Sequence, residues 1–424
     1  MKKIICTIVL AIFLACNLNF DVLAAQATPT VGSDNAILID GRTGEILYEK
    51  NPDVQFPPAS TTKTMTALLT LEKCNLNAKV TVSNDFLTKD AKYIDGNRIY
   101  INNGEEISVK DLLYSLLLMS SNDSAVALAD YISGSVDKFT QLMNQRAKEL
   151  GCTDTNFVNP NGLYDPNHKS SVKDLALIMK ELIKNPMYKT IATTQVYQMS
   201  PTNKFNAENT QKTRRFWNED KLLYKQSRYY YDGLIGGKPG YTIQSFQSFT
   251  AAASRNNMDL VVAFHGKTKT YYEDSKILFD YGFQNFEEKK LFSKGDVVTT
   301  YSLNGTKIPL IASDDYYYVV PKGSNETPKY SIPTNSITKK QFNKGDTLLN
   351  LDITLNGKKI NSLKLLSGKS YKLNTTEKLS ESIINNKQYA LIAGIVGIAI
   401  LLSMLGFILH KVKVRKTNNK NIYF

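Results

Sequence analysis

The order of hydrophobic and polar positions divides the chain into a part with mixed helices and strands and a later part rich in strands. Near the beginning, two short apolar runs at residues 36–40 and 45–49 flank the turn at 41–44 and predict a β-hairpin. Residues 249–264 predict two further strands around a turn at 255–257. Helical spacing over 175–182 predicts a helix between these strand pairs.

Two apolar stripes at helical spacing are interrupted close to residue 120. The first stripe comprises Val109, Leu112, Leu113, Leu116 and Leu117. The second begins at Ala125, after Asn122 and Asp123, which are residue types suited to capping a helix. The pattern therefore predicts that 120–122 is a break between two helices.

The helical periodicity disappears after about residue 292. Short alternating runs follow, and Asn-Gly turns at 304–305 and 356–357 separate them. The runs are 297–303, 316–320 and 348–355. This pattern predicts a small all-β domain.

The amino terminus is typical of an exported protein. Lys2 and Lys3 precede an apolar run, and small residues follow at 22–27, so residues 1–27 are predicted to be a signal peptide cleaved near Ala24 or Ala27. A first membrane anchor fits less well because the apolar core is short and polar residues interrupt it. A lipoprotein signal at Cys16 fits less well because the residues before it match that motif poorly.

The carboxyl terminus predicts a membrane span. Residues 389–409 carry no formal charge and would form a helix of about 31 Å, which is enough to cross the hydrocarbon core. A linker at 379–388 precedes this helix, and a basic tail at 410–424 follows it. Positive charge marks the cytoplasmic side, so we expect a single-pass protein of the cell membrane whose folded domains are extracytoplasmic.

The composition excludes several classes of function. The net charge of +13 could indicate a nucleic-acid partner, but the tail holds five cationic residues, and a membrane flank explains them. His168, His265 and His410 fit no metal-ligand spacing, so neither a metal nor another cofactor is expected. Cys74 and Cys152 are the only cysteines after the signal, which leaves one disulfide or two free thiols open.

Ser60 and Lys63 are the first candidates for chemistry. Pro57 and Pro58 precede them, and apolar residues at helical spacing follow, so the two side chains should share one face at the start of a helix. A serine hydroxyl is a poor nucleophile at neutral pH unless a base accepts its proton, and a lysine that is kept neutral can do so. A capping serine and a solvated lysine would give the same spacing.

The remaining motifs favour the catalytic interpretation. Ser120-Ser121-Asn122 lies at the helix break, and Lys238-Pro239-Gly240 precedes the later strands. The order SxxK, SxN, KxG is that of penicillin-recognising serine active sites. Over residues 35–373 the chain resembles the D-alanyl-D-alanine carboxypeptidases, the low-molecular-mass penicillin-binding proteins. Further matching motifs are Met143-Asn144, Asn159-Pro160-Asn161-Gly162-Leu163, Asp232-Gly233 and Tyr241-Thr242.

The resemblance implies an α+β transpeptidase domain of the penicillin-binding and β-lactamase type over 28–290, followed by a β-rich domain over 291–378. It also implies roles for single residues. Ser60 would attack the bond between two D-alanines, Lys63 would be its base, and Ser120 would relay a proton to the departing amine. Asn122 would hold both the substrate and the Lys63 side chain. Lys238 would face the substrate carboxylate. The backbone N–H groups of Ser60 and Tyr241 would form an oxyanion hole.

The implied substrates are peptidoglycan stem peptides ending in D-Ala-D-Ala, with β-lactam antibiotics as covalent inhibitors. Pro239 departs from the family pattern, which has threonine there, so one hydroxyl and one backbone N–H are missing. The sequence between 243 and 246 also lacks the family's glycine-rich continuation.

Two other functions stay open. The first is a membrane-tethered peptidoglycan-binding or regulatory protein whose site has decayed at Pro239. The second is a class A β-lactamase, for which Glu181 and Asn185 supply a matching spacing. A solvated helix face explains those residues better, and the extra β domain and the membrane helix also argue against this enzyme. We expect the β-rich domain to be a spacer between the membrane and the wall, with a partner-docking module as the alternative.

Overall fold

The computed structural model describes residues 28–205, 213–332, 337–339, 341–373, 391–392 and 394–413. It divides into two compact units. The first contains the chain up to Lys289 together with Tyr317–Glu326, and the second contains Lys290–Tyr316 and the residues from Thr327 onward. The predicted signal peptide and the predicted linker lie outside the described residues.

Helices and strands are numbered in chain order. The helices are α1 (Lys63–Lys73), α2 (Phe86–Lys89), α3 (Val109–Leu118), α4 (Asn122–Ser133), α5 (Val136–Glu149), α6 (Val172–Leu182), α7 (Pro186–Ala192), α8 (Tyr271–Asn285) and α9 (Gly394–Lys413). The strands are β1 (Asn35–Asp40), β2 (Ile46–Lys50), β3 (Lys79–Thr81), β4 (Glu106–Ser108), β5 (Val196–Gln198), β6 (Arg215–Trp217), β7 (Leu234–Thr242), β8 (Phe246–Arg255), β9 (Met258–Gly266), β10 (Phe286–Phe292), β11 (Val297–Leu303), β12 (Thr306–Ala312), β13 (Tyr316–Pro321), β14 (Lys329–Tyr330), β15 (Thr347–Leu355) and β16 (Lys358–Ser367).

An antiparallel five-stranded sheet forms the centre of the first unit. Its strand order is β2-β1-β9-β8-β7, so the predicted β1–β2 and β8–β9 hairpins are confirmed and β7 lies at one edge. Every residue of β1 is buried, which indicates that both faces of the sheet are covered.

Side chains that alternate along β1 enter two different hydrophobic cores. Ile37 and Ile39 belong to a large core that includes residues of α1, α3, α4, α5 and α6. Ala36 and Leu38 belong to a second core that includes residues of α8. The sheet is therefore the middle layer between two helical layers, and this arrangement is typical of a stable α and β domain.

The predicted break between two helices is confirmed at residues 119–121. Ser120 has a φ of 64°, a left-handed value that is uncommon for a residue with a side chain and lets the chain turn sharply between α3 and α4. The prediction that Asn122 caps the second helix is wrong, because Ser121 occupies the cap position and Asn122 is the first helical residue. The Asn122 side chain is consequently free for other contacts.

The second unit contains the predicted β-rich domain except for residues 317–320 of its predicted strand at 316–320, which the structure assigns to the first unit. Its five-stranded sheet has the order β11-β12-β16-β15-β14, and the Asn-Gly turns join β11 to β12 and β15 to β16. Asn304 and Asn356 both have positive φ values, as tight hairpin turns require. The alternate residues Leu351, Ile353, Leu363 and Leu365 lie in one core.

Helix α9 is long and apolar enough to cross a membrane. It spans 20 residues with a mean hydropathy of 2.2, and it is the only such helix within the described ranges. It fits a membrane anchor, as the sequence predicted, although residues 389, 390 and 393 of the predicted span lie outside the described ranges.

The two cysteines that follow the predicted signal peptide, Cys74 and Cys152, are both free thiols.

Candidate active site

Ser60 lies in a short turn directly before helix α1. Residues Ala59–Thr62, here called the Ser60 turn, form a 3-10 turn rather than the first α-helical turn that the sequence predicted. Ala59 has a φ of 49°, so the chain enters the turn in a strained left-handed conformation. The backbone N–H and the hydroxyl of Thr61 both donate to the Pro58 carbonyl, which holds this entry in place.

Lys63 is the first residue of α1, and its side chain is completely buried. Its Nζ atom lies 3.1 Å from Ser60 Oγ, 2.7 Å from Asn122 Oδ1 and 2.7 Å from the Asn161 carbonyl oxygen. The structure therefore brings the predicted nucleophile, base and amide into direct contact. The third partner, the carbonyl of Asn161, was not predicted.

The electrostatic environment disfavours a charged Lys63. Burial lowers the pKa of Lys63 well below its usual value, and the nearby Lys238 lowers this pKa further. Glu219 and Asp123 oppose the shift without reversing it. The result is an amine that can be neutral under conditions in which an exposed lysine is protonated.

The helix break supplies the second wall of the site. The Ser120 hydroxyl is buried and has no hydrogen-bond partner among the described residues. While Asn122 Oδ1 accepts from Lys63, its Nδ2 group donates to the Asp95 carbonyl, which fixes the orientation of the amide. Ser120 thus presents an unpaired hydroxyl next to a rigidly held amide.

The loop at residues 159–163, here called the 159–163 loop, packs against Lys63 and the Ser60 turn and does not line the cavity described below. Asn159 shapes it by accepting from the Gly162 N–H at 2.7 Å and donating to the Leu163 carbonyl at 2.8 Å. Gly162 has a φ of 88°, and a Cβ built on it would overlap the Ala59 carbonyl oxygen. Only glycine therefore allows the loop to approach the Ser60 turn closely enough for its Asn161 carbonyl to contact Lys63.

His168 joins this region to the Ser60 turn. Its Nε2 atom lies 2.8 Å from Thr62 Oγ1, and its Nδ1 atom accepts from the Val158 N–H at 3.2 Å. Burial lowers the pKa of His168 to about 3, so the ring is neutral and Nε2 is left as the donor to Thr62. The histidine acts here as a hydrogen-bonding link.

Strand β7 supplies the third wall of the site. Lys238 is buried, and its Nζ atom has no hydrogen-bond partner among the described residues. Burial lowers the pKa of Lys238, while Glu219 and Asp220 raise it, and Glu219 Oε2 lies 4.0 Å from Nζ. A Cβ on Gly240 would lie 2.9 Å from the Ser60 backbone nitrogen, so this strand runs immediately beside the Ser60 turn.

These walls border a cavity of about 420 Å³. Of the predicted residues, Ser60, Ser120 and Tyr241 line it directly. Pro239 also lines it, together with Glu219, which sequence reasoning missed. Lys63 and Asn122 lie behind Ser60 and contact each other.

Comparison with known proteins decides the family. The profile of a family described as D-alanyl-D-alanine carboxypeptidase matches residues 22–268, and that of the penicillin-binding protein 5 C-terminal domain matches residues 286–373. This chain belongs to the D-alanyl-D-alanine carboxypeptidase family. The resemblance inferred from its motifs is thereby confirmed.

Individual carboxypeptidases agree with this assignment. The chain is 33% identical over 300 residues to D-alanyl-D-alanine carboxypeptidase DacF of Bacillus subtilis, a match that covers 69% of this chain and 73% of the relative. It is 29% identical over 359 residues to DacC of Escherichia coli, covering 81% and 86%. Penicillin-binding protein 5 from Haemophilus influenzae has a similar structure, with a TM-score of 0.66, 28% identity and coverage of 81% of this chain and 98% of that one.

These relationships confirm the predicted fold and the predicted class of enzyme. The first unit has the penicillin-binding transpeptidase-like fold, and an all-β C-terminal domain follows it. The carboxypeptidase is a serine-type peptidase, and a non-enzymatic regulatory function is not favoured.

The contact between the 159–163 loop and the Ser60 turn yields a prediction. We expect Gly162→Ala to separate the two segments, to lower stability by about 1–3 kcal/mol and to reduce penicillin acylation at least tenfold, because the new methyl group overlaps a backbone carbonyl. Thermal unfolding and the acylation rate measure the two effects.

Gly151→Ala is the matched control. Gly151 also has a positive φ, of 83°, but a Cβ there meets no atom within 4 Å. This variant should lose about 1 kcal/mol and acylate normally. Equal behaviour of the two variants would mean that backbone strain alone, and not the close approach, explains the requirement for Gly162.

Proposed function

We propose that this enzyme removes the terminal D-alanine from peptidoglycan stem peptides through an acyl-enzyme on Ser60. The observation that carries the proposal is the contact between Ser60 Oγ and the fully buried Nζ of Lys63, at 3.1 Å. A serine nucleophile needs a base within hydrogen-bond reach, and a lysine with a depressed pKa meets this need without histidine or metal.

The three contacts of Lys63 suit a neutral amine. A neutral amine has two N–H groups and one lone pair, and Nζ has two carbonyl-type acceptors at 2.7 Å, from Asn122 and Asn161. With both N–H groups donated there, the lone pair is directed to the Ser60 hydroxyl. Ser60 Oγ then attacks the peptide carbonyl carbon while its proton passes to Lys63.

The departing D-alanine amine needs that proton to leave. Ser120, with an unpaired buried hydroxyl on the cavity wall, is the proposed relay from Lys63 to the amine. Asn122 keeps Lys63 aligned throughout. Water then takes the place of the departed D-alanine, and its proton passes through Ser120 to Lys63 as it attacks the acyl carbon. Lys63 returns a proton to Ser60 Oγ, and the shortened peptide is released.

Strand β7 is proposed to bind the substrate backbone and its charged end. Proline is tolerated in an edge strand where its nitrogen faces away from the neighbouring strand. We therefore infer that the backbone nitrogen of Pro239 points away from β8. Tyr241, two residues further on, shares that direction, and its backbone N–H is the proposed partner of the Ser60 N–H in the oxyanion hole. The ammonium of Lys238 would attract the terminal carboxylate.

The proposed location is the outer face of the cell membrane. Helix α9 supports an anchor by its length and hydropathy, and Lys411 and Lys413 at its end support a cytoplasmic tail by the positive-inside rule. Under this proposal the signal peptide exports both domains, which then act on the wall. β-Lactams, which also present a reactive carbonyl and a carboxylate, would acylate Ser60 covalently.

Ser60 acylation is the direct test of this function. Benzylpenicillin incubated with the detergent-solubilised full-length protein should leave one adduct on the peptide that contains Ser60, as located by mass spectrometry. Ser60→Ala should remove the adduct and D-alanine release while keeping the wild-type melting temperature, since it removes only one oxygen atom.

Heat-unfolded protein is the control, because labelling of a chemically activated serine requires the folded site. An adduct on another residue, or full labelling of folded Ser60→Ala, would refute the mechanism. Rapid penicillin turnover without adduct accumulation would instead identify a β-lactamase.

Pro239 yields a second test. Pro239→Thr should raise acylation or D-alanine release about tenfold, because threonine returns a hydroxyl and a backbone N–H to the cavity wall, and a hydrogen bond to a charged group is worth about 1.5–3 kcal/mol. Pro239→Ala is the matched variant, since it returns the N–H alone and should give a smaller gain. Unchanged or reduced rates in both folded variants would show that the strand has adapted to proline.

A further inference from the structure

Glu219 places a carboxylate beside the lysine that is proposed to attract the substrate carboxylate. Its Oε2 atom lies 4.0 Å from Lys238 Nζ, and the residue lines the same cavity as Ser60 and Ser120. Neither the motifs of the sequence nor the mechanism proposed above gives this side chain a role.

The position of Glu219 is fixed by its backbone. Its N–H donates to the Leu118 carbonyl at the end of α3, and its own carbonyl accepts from the Tyr272 hydroxyl in α8. The side chain also reaches Asn97, whose Nδ2 group lies 3.4 Å from Oε1. The carboxylate is thus held between Lys238 on one side and Asn97 on the other.

Lys238 has an unused hydrogen-bonding capacity that points to an anionic ligand. Its Nζ atom is fully buried and has no hydrogen-bond partner among the described residues, since Glu219 at 4.0 Å is too distant for a hydrogen bond. A ligand carboxylate would take this position at about 2.8 Å from Nζ. It would then lie within about 7 Å of Glu219 Oε2, with the same sign of charge.

We propose that Glu219 is a specificity-determining residue that weakens the binding of carboxylate-bearing substrates and β-lactams at Lys238. This inference rests on the proposed function. Glu219 partly neutralises the attraction that Lys238 exerts, and it repels the incoming carboxylate directly. Lys221 and Lys269 also line the cavity and attract anions into it, so the repulsion by Glu219 matters most at the final position beside Lys238.

Removal of Glu219 should leave Lys238 protonated enough to bind an anion. Asp220 is a second carboxylate near this lysine, it is buried, and it raises the pKa of Lys238 independently. The loss of Glu219 therefore removes the repulsion without removing every counter-charge from Lys238.

The test compares probes with and without a carboxylate on the full-length protein in detergent at low ionic strength. The probes are benzylpenicillin and its methyl ester for acylation, and a peptide ending in D-Ala-D-Ala and its C-terminal amide for turnover. Glu219→Gln should raise the rate constant for the acid member of each pair about fivefold and leave the ester or amide within about twofold. Added salt should reduce the gain of Glu219→Gln over the wild type for the acid probes, because the half-exposed charge of Glu219 is screened.

Glu106→Gln is the matched control. Glu106 has a side-chain exposure of 44%, against 43% for Glu219, and it forms a similarly long ion pair at 3.8 Å, but it does not line the cavity. This variant should leave all four rate constants unchanged. Melting temperatures of both variants establish that they are folded.

The possible results distinguish a failure of the proposed role of Glu219 from a failure of the proposed carboxypeptidase function. If no probe acylates Ser60 in the wild type, the proposed function fails. If Ser60 is acylated but Glu219→Gln gives an unchanged or smaller acid-to-ester ratio, the inference about Glu219 is wrong. A fall in the acid rate alone would mean that Glu219 serves Lys238 as a required counter-charge.

Discussion

Burial of the Lys63 amine beside Ser60 is the constraint on which the rest of the site depends. Transfer of an ammonium group from water into a protein interior is costly, so a completely buried lysine favours its neutral form. The positive charge of Lys238 acts in the same direction. The fold therefore places an amine that favours its neutral form, the proposed base, next to the Ser60 hydroxyl.

Several separate segments maintain that burial. The Ser60 turn, the helix break near Ser120, the 159–163 loop and strand β7 all pack around Ser60 and Lys63, and they come from distant parts of the chain. Two backbone features allow this arrangement: the left-handed φ of Ser120 and the close approach of Gly162 to Ala59. The unfavourable left-handed conformation of Ser120 persists only because the surrounding structure determines the backbone path.

The opposite requirements of the two lysines explain much of the local charge. Under the proposed mechanism, Lys63 must lose its proton to act as a base, whereas Lys238 must keep its proton to attract a carboxylate. Both are buried, which lowers both pKa values, and Glu219 raises both, but Asp220 also raises the pKa of Lys238. Burial raises the pKa of Asp220 to about 6, so Asp220 is largely ionised at neutral pH and supplies this compensation.

The sequence was sufficient where chemistry depends on side chains at short spacing. The motifs grouped Ser60, Lys63 and Asn122, whose side chains are in contact in the structure. The apolar stripes predicted α3 and α4 because burial on one face imposes a helical period. The Asn161 carbonyl could not be found in this way, since every residue carries a backbone carbonyl. Glu219 was missed because its significance arises only when β7 brings Lys238 beside it. The 3-10 form of the Ser60 turn begins at the left-handed residue Ala59, and the hydrophobic and polar pattern of the sequence does not predict a left-handed alanine.

The dependence of the penicillin acylation rate on pH tests the central claim most directly. Measured on the full-length protein between pH 5 and 11, the rate should rise with pH as Lys63 loses its proton, with a midpoint well below the usual lysine value of about 10.4. It should fall again at higher pH as Lys238 becomes neutral. A rate that continues to rise through pH 10, with a midpoint at the usual lysine value, would contradict the account, because Lys63 would then be protonated at neutral pH and unable to activate Ser60.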